Sequence, residues 1–289
     1  MTPRMLYRNF TDQASIDAEY NPLLKVTEAA DIVKRWQQNS AHARSVLTSR
    51  LGLRFGPTVE EYLDIFPSGK PGAGLHLFLH GGYWRRFSAR DFSFIAPTLV
   101  DAGISVGIMN YALCPGVTLS EIVRQTRSAI FWLKENGRSH GVDATSLTVS
   151  GHSAGAHLLT MALSTDWGKT FGLKQEVITG ACAISGIYDL TPLLYSYLQP
   201  QIQLSWGDVA HLSPIRHIPD KGPALTVVSG GKESNEFIRQ SQEFLSAWRQ
   251  HGLKGDWLNL SKANHFNILD GFEDPGSVLF KTITNIARY

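Results

Sequence analysis

The stretch 147–157, Leu-Thr-Val-Ser-Gly-His-Ser-Ala-Gly-Ala-His, limits what this chain can fold into more than any other. An apolar segment leads into Gly151-His152-Ser153-Ala154-Gly155 and the apolar run 158–163 follows, so the stretch reads as strand, sharp turn and helix. Small residues two before and two after the serine let strand and helix approach without a side-chain collision, while the turn forces unusual backbone angles on Ser153. That is the pattern of a nucleophile elbow, and it predicts Ser153 exposed at the sheet's edge. A glycine-rich loop that happens to hold a serine would read the same way in isolation, so the rest of the chain decides.

Residues 1–26 show little periodicity. Thr27-Glu28-Ala29-Ala30 then opens a helix with Ile32, Val33, Trp36 and Ala43 on one face. Residues 1–50 therefore form an N-terminal helical extension, which either packs on the body or walls a cleft. Segment 59–66 reads as a strand, and the turn cluster Pro67-Ser68-Gly69-Lys70-Pro71-Gly72 is expected to close a hairpin. Further apolar strands are predicted at 75–79, 104–109, 147–150, 180–185, 224–229 and 257–260. Two amphipathic helices lie among them. One starts at the capping-box spacing Thr118-Leu119-Ser120-Glu121 and stops at Gly137; the other carries Phe237, Ser241, Phe244, Leu245 and Trp248 and ends at Gly252. Between 191 and 223 the period is lost and prolines recur, which predicts a cap-like insertion of short helices. Strands separated by helix-length segments require crossover connections, hence an α/β fold with a mostly parallel sheet and helices on both faces. The whole chain, 1–289, is read as one such domain.

Sheets of this kind bind ligands beyond the carboxyl ends of their strands. His80-Gly81-Gly82-Tyr83, Ser153, Glu233 and His265 each follow directly on a predicted strand. A serine hydroxyl needs a neighbouring base to take its proton, and His265 can supply it. An acid must hold the imidazole in the right tautomer and stabilise the imidazolium; Glu233 is placed for that. The tetrahedral intermediate requires amide donors, expected from Ala154 and from Gly82 and Tyr83. His80 is read as fixing its loop, His152 and His157 as packing or hydrogen-bonding residues, and Asp189 as a loop cap. Ser234 is expected to cap the following helix, with Glu236 in its first turn.

Composition narrows the class. Lys and Arg number 27 against 25 Asp and Glu, and no basic run tracks phosphates, so nucleic acid is not the expected partner. The first twenty residues lack the apolar core of a secretory signal, and no window is apolar over a membrane-spanning length of about twenty residues. A soluble, cytoplasmic protein is expected. Its two cysteines, Cys114 and Cys182, have no metal-ligand spacing and are expected as buried small hydrophobes.

Three stretches carry a family resemblance: His80-Gly81-Gly82-Tyr83-Trp84, Gly151–Gly155 and 233–241. On these the chain resembles the α/β-hydrolase superfamily and, within it, the kynurenine formamidase (arylformamidase) group with its His-Gly-Gly-x-Trp motif, from about residue 20 to the end. That group usually has aspartate where Glu233 stands, and the longer side chain would require a shifted loop. The resemblance implies hydrolysis of an N-formyl aryl amide, N-formylkynurenine-like, to formate and the amine through an acyl-enzyme on Ser153. It implies no metal or organic cofactor. An aryl leaving group needs aromatic walls, for which Tyr83, Trp84 and Trp206 are the candidates, with Tyr111 and Tyr188 behind them. The Trp84 ring, placed in the oxyanion loop, is expected to narrow the acyl side. Two other readings stay open: a carboxylesterase acting on small acyl esters, and a non-catalytic binding protein on the same fold. The oligomeric state is not fixed by the sequence, a homodimer being one option.

Overall fold

The computed structural model describes residues 5–287, so the first four and last two residues of the predicted domain lie outside it. Strands β1 (Arg50–Arg54), β2 (Tyr62–Phe66), β3 (Gly74–Leu79), β4 (Ser105–Met109), β5 (Asp143–His152), β6 (Gly180–Ile184), β7 (Ala224–Gly230) and β8 (Gly255–Leu260) form one sheet in the order β1-β2-β4-β3-β5-β6-β7-β8. The pairs β1–β2 and β2–β4 are antiparallel, and every other pair is parallel. The helices are α1 (Gln13–Tyr20), α2 (Ala29–Val46), α3 (Ala96–Asp101), α4 (Leu119–Asn136), α5 (Ala154–Leu163), α6 (Trp167–Phe171), α7 (Gln199–Ile202), α8 (Trp206–Leu212), α9 (Asn235–Gln250) and α10 (Val278–Ala287).

The central strands read as unbroken apolar runs because both of their faces are covered. In β6, Ala181 and Ala183 join a core with residues of α1, α4, α5 and α9, whereas Cys182 and Ile184 join a second core with residues of α2, α3 and α10. Both cysteines are buried free thiols. Helix α4 begins at Thr118, whose side chain accepts from Glu121 N at 3.3 Å. The reciprocal half of the expected capping box is missing because the Glu121 carboxylate turns instead to Arg124 and Gln125.

The predicted hairpin does not form. The 67–72 turn cluster does connect β2 to β3, but β4 pairs with each of them and lies between them. On its other side β2 pairs with β1, an edge strand whose sequence Arg-Leu-Gly-Leu-Arg is mostly exposed and offers no buried alternation. Residues 191–223 carry short elements only: a 3-10 turn, α7, α8 and a second 3-10 turn.

Candidate active site

Ser153 follows the end of β5, a central strand flanked by β3 and β6, and precedes α5. Its backbone sits at φ 55° and ψ −117°, a conformation that a non-glycine residue adopts only when the surroundings impose it. The two flanking glycines make that turn sterically feasible. A Cβ built on Gly151 would lie 2.2 Å from Gly155 O, and one on Gly155 would lie 1.9 Å from Leu79 O, so helix, turn and β3 meet backbone to backbone. Contrary to the exposed serine expected from the sequence, Ser153 is only 2% exposed. It lies mid-sheet, beneath the loop that follows β3.

Two further loops complete a line of hydrogen bonds. His265 Nε2 is 3.0 Å from Ser153 Oγ, and His265 Nδ1 is 3.1 Å from Glu233 Oε1. These partners select the tautomer with hydrogen on Nδ1, which donates to the carboxylate, leaving Nε2 to accept from the serine hydroxyl. Glu233 reaches the imidazole because its loop is zipped onto the one that carries it. Gly231 N donates to Leu260 O and Lys232 N to Ala263 O, each at 3.0 Å. Gly230 and Gly231 permit this, since a Cβ on either would lie within 2.6 Å of a carbonyl oxygen of Ala263 or Ser261.

The loop after β3 presses on the same serine: a Cβ on Gly81 would stand 3.2 Å from Ser153 Cβ. Gly82, Tyr83 and Trp84 all have positive φ, at 112°, 50° and 56°. Among the described residues, no protein acceptor takes the amide hydrogens of Gly82, Tyr83 or Ala154. Unpaired donors next to a serine–histidine pair are what a developing oxyanion requires. His80 anchors the loop, its Nδ1 donating to Gly81 O at 2.8 Å and its ring stacked between Tyr111 and Phe92. His152 Nε2 donates to His265 O at 2.9 Å, and His157 Nε2 to Leu212 O at 2.7 Å. Asp189 Oδ1 accepts from Thr191 N and Oγ1, the loop-capping role expected of it.

Burial holds these supporting histidines neutral, together with His76 of β3, whose ring nitrogens meet the Thr148 and Ser150 hydroxyls at 2.9 and 2.7 Å. It pushes His76 down to about 3 and both His80 and His157 down to about 4, while burial and then the neighbouring His265 depress His152 well below the usual range. In the unfolded chain all four titrate near 6.5, so between pH 6.5 and 4 the unfolded state binds more protons and stability falls as pH falls. By pH 5, His80 and His157 should each cost about 2 kcal/mol. Urea midpoints measured at pH 7 and pH 5 check this; equal midpoints would contradict it.

A cavity of about 460 Å³ opens onto Ser153 and His265. Its aromatic lining is Trp36, Tyr83, Phe87, Phe92, Tyr197 and Phe266. Of the predicted walls only Tyr83 belongs to it. Trp84 is fully buried, because two successive positive-φ residues turn its ring inward to meet His157 edge-on at 4.9 Å. Trp206, the first residue of α8 and within its Ser205–Asp208 capping box, is 61% exposed and does not line the cavity. Tyr111 and Tyr188 are buried, the first donating to His80 O and the second stacked on Phe244. Among the described residues no group of His, Cys, Asp and Glu converges as a metal site requires, and no helix is long and apolar enough to cross a membrane.

The N-terminal segment proves to be a wall. Ala29, Ala30, Val33 and Trp36 of α2 line the cavity, and residues 19–28 accept hydrogen bonds from the loop after β3, the first turn of α9 and the His265 loop. Tyr83 OH donates to Tyr20 O, Glu236 N to Glu19 Oε2, and Asn264 Nδ2 to Glu28 Oε1. Sequence periodicity exposed the helix but not what it faces; the Ala29-Ala30 pair and Val33, too small for a full core stripe, were the available signal.

Strand order, elbow and hydrogen-bonded Ser–His–Glu line define an α/β-hydrolase. The BD-FAE family profile matches residues 63–248. Over 258 residues the chain is 31% identical to kynurenine formamidase of Danio rerio, covering 87% of this chain and 86% of that protein. To kynurenine formamidase of Drosophila melanogaster it is 29% identical, covering 81% and 80%. The solved structure of a candidate thioesterase from Silicibacter sp. superposes with a TM-score of 0.79 at 29% identity, covering 93% of this chain and 98% of that one. The chain belongs to the BD-FAE family of α/β-hydrolases, alongside the kynurenine formamidases.

Proposed function

We propose that the protein hydrolyses N-formyl aryl amides of the N-formylkynurenine type, with Ser153 as nucleophile, His265 as base and then acid, and Glu233 as the third member. The observation that carries this reading is the similarity to kynurenine formamidases over most of both chains combined with an aromatic cavity opening directly onto Ser153. Ser153 Oγ attacks the formyl carbon as its proton passes to His265 Nε2. The resulting oxyanion takes hydrogen bonds from the amides of Gly82, Tyr83 and Ala154. As the C–N bond breaks, His265 returns the proton to the leaving nitrogen, and the arylamine departs. Water, deprotonated by the same imidazole, then attacks the formyl ester, releasing formate and restoring the serine. Glu233 holds Nδ1–H throughout and stabilises the imidazolium.

A carboxylesterase acting on small acyl esters would use the same residues, and the resemblance to the candidate thioesterase structure supports that second reading. The two separate on kcat/KM. On the formamidase reading, formamides should exceed their acetyl analogues in kcat/KM by at least about tenfold. Formate release and amine appearance across matched formyl, acetyl and butyryl aryl amides and esters measure this. Butyryl esters outrunning every formamide would hand the assignment to the esterase.

A further inference from the structure

The cavity contains an electrostatic asymmetry that the formamide reaction does not require. Arg85 and Arg86 line it together, and no Asp or Glu does. Among the described residues neither arginine is in an ion pair. Asp17, which accepts from Tyr197 N at 2.7 Å, stays outside the lining. Arg86 is solvated and Arg85 half-buried, with its Nε cut off from water and unpartnered, so the pair presents positive charge to the cavity with no carboxylate to neutralise it.

Arg85 is held ready for one. It follows the oxyanion turn, its amide donating to Gly82 O at 3.1 Å, so its position is tied to the amides that face the nucleophile. Its guanidinium lies over the Tyr197 ring, 5.5 Å from the centroid, and donates through Nη1 to Gln201 Oε1. Its Nε is buried without a partner. Arg86, next in sequence, is exposed at the cavity mouth, where a long side chain can swing toward a ligand. Guanidinium groups are suited to planar carboxylates, which accept two parallel N–H bonds.

We propose that Arg85 and Arg86 form a carboxylate-binding subsite, which makes the preferred substrates N-formyl aryl amides whose amine portion bears a carboxylate. The inference rests on the hydrolase reading only in placing the leaving group in this cavity. With no acidic side chain in the lining, a carboxylate on the amine portion meets no like charge there. Tyr197 and Gln201, both in the 191–223 insertion, thereby gain a role: they orient the arginine that reads the leaving group.

Binding to the Ser153→Ala protein, measured by calorimetry, tests this without turnover. N-formylanthranilate should bind roughly 10- to 100-fold tighter than its neutral carboxamide counterpart, the range expected for a charge-assisted pair. The ratio should shrink in 0.5 M salt, where the screening length is about 4 Å. Adding Arg85→Gln and Arg86→Gln together should bring the two affinities within about twofold, and Arg85→Lys with Arg86→Lys should restore part of the gap. Equal affinities for the two compounds, no measurable binding of the anionic one, or a preference untouched by the glutamine pair would overturn the subsite. Formate assays on unsubstituted protein keep the two claims apart. A carboxylate preference in binding with no formate release from either compound would remove the formamidase reading and leave the subsite; formate release with equal affinities would do the reverse.

Discussion

Ser153→Ala is expected to lower kcat/KM for formate release by about 10⁵-fold or more, the scale seen when a serine nucleophile is removed. The loss is of covalent chemistry, since the unsubstituted residue has His265 as its side-chain partner and no other group in the cavity offers an activated oxygen. Folding should be nearly untouched. The hydroxyl contributes one hydrogen bond, worth about 1 kcal/mol, and alanine fits the space the serine leaves. Activity and urea midpoint measured on the same preparation separate the two effects. Turnover persisting at the original rate would remove Ser153 from the chemistry.

Glu233→Gln should cost on the order of 10⁴ in kcat, because a glutamine can present N–H to Nδ1 and trap the imidazole in the wrong tautomer. Stability should hold or rise slightly. The Glu233 side chain is fully buried, its Oε2 has no partner, and removing a buried charge relieves desolvation. Glu236 makes an instructive contrast. On sequence grounds it is a first-turn carboxylate facing the dipole of α9, worth at most about 1 kcal/mol. In the structure it does more: Oε1 accepts from Arg239 Nε and Oε2 from Arg239 Nη2 and Tyr20 OH, each at 2.7 Å. Burial raises its carboxyl, but the bonds from Arg239 and Tyr20 outweigh that and leave it below the usual range. Glu236→Gln should therefore cost about 2 kcal/mol and lower Tm by roughly 4 °C while formate release continues. The reverse pattern, with Glu236→Gln inactive and Glu233→Gln merely less stable, would mean the acid stands one turn later.

The parts of this molecule legible in its sequence are those where backbone geometry dictates residue type. Gly151 and Gly155 meet backbone atoms at distances no side chain tolerates, so the elbow announced itself. Strands β3 to β7 are covered on both faces and spell continuous apolar runs that bracket each site residue. The edges were silent for the opposite reason. Exposed β1 has no apolar alternation to read, and α1 buries only Ile16 and Tyr20. Helix α10, packed on β3, β5 and β6 with Leu279 and Ile283 in the core, went unread beside the stronger strand signals.

The substrate walls were misread because side-chain direction there depends on positive-φ turns and on tertiary docking. Trp84 lies next to the proposed oxyanion donors in sequence, yet φ of 56° sends its ring into the core. Trp36, Phe87 and Tyr197 come from three segments that meet only in the folded chain. Arg85 and Arg86 directly follow the His-Gly-Gly-Tyr-Trp motif, and their placement beside it was the signal that periodicity could not interpret.

In the proposed reaction one serine, held strained under the loop that follows β3, carries the acyl group. An organophosphate titration read by intact mass and peptide mapping tests it most directly. Incorporation should stop at one phosphoryl group per chain, located on Ser153, with formate release lost in proportion. A chain that retains full activity when Ser153 is modified, or an inactivating adduct mapped to a different residue, would contradict the account.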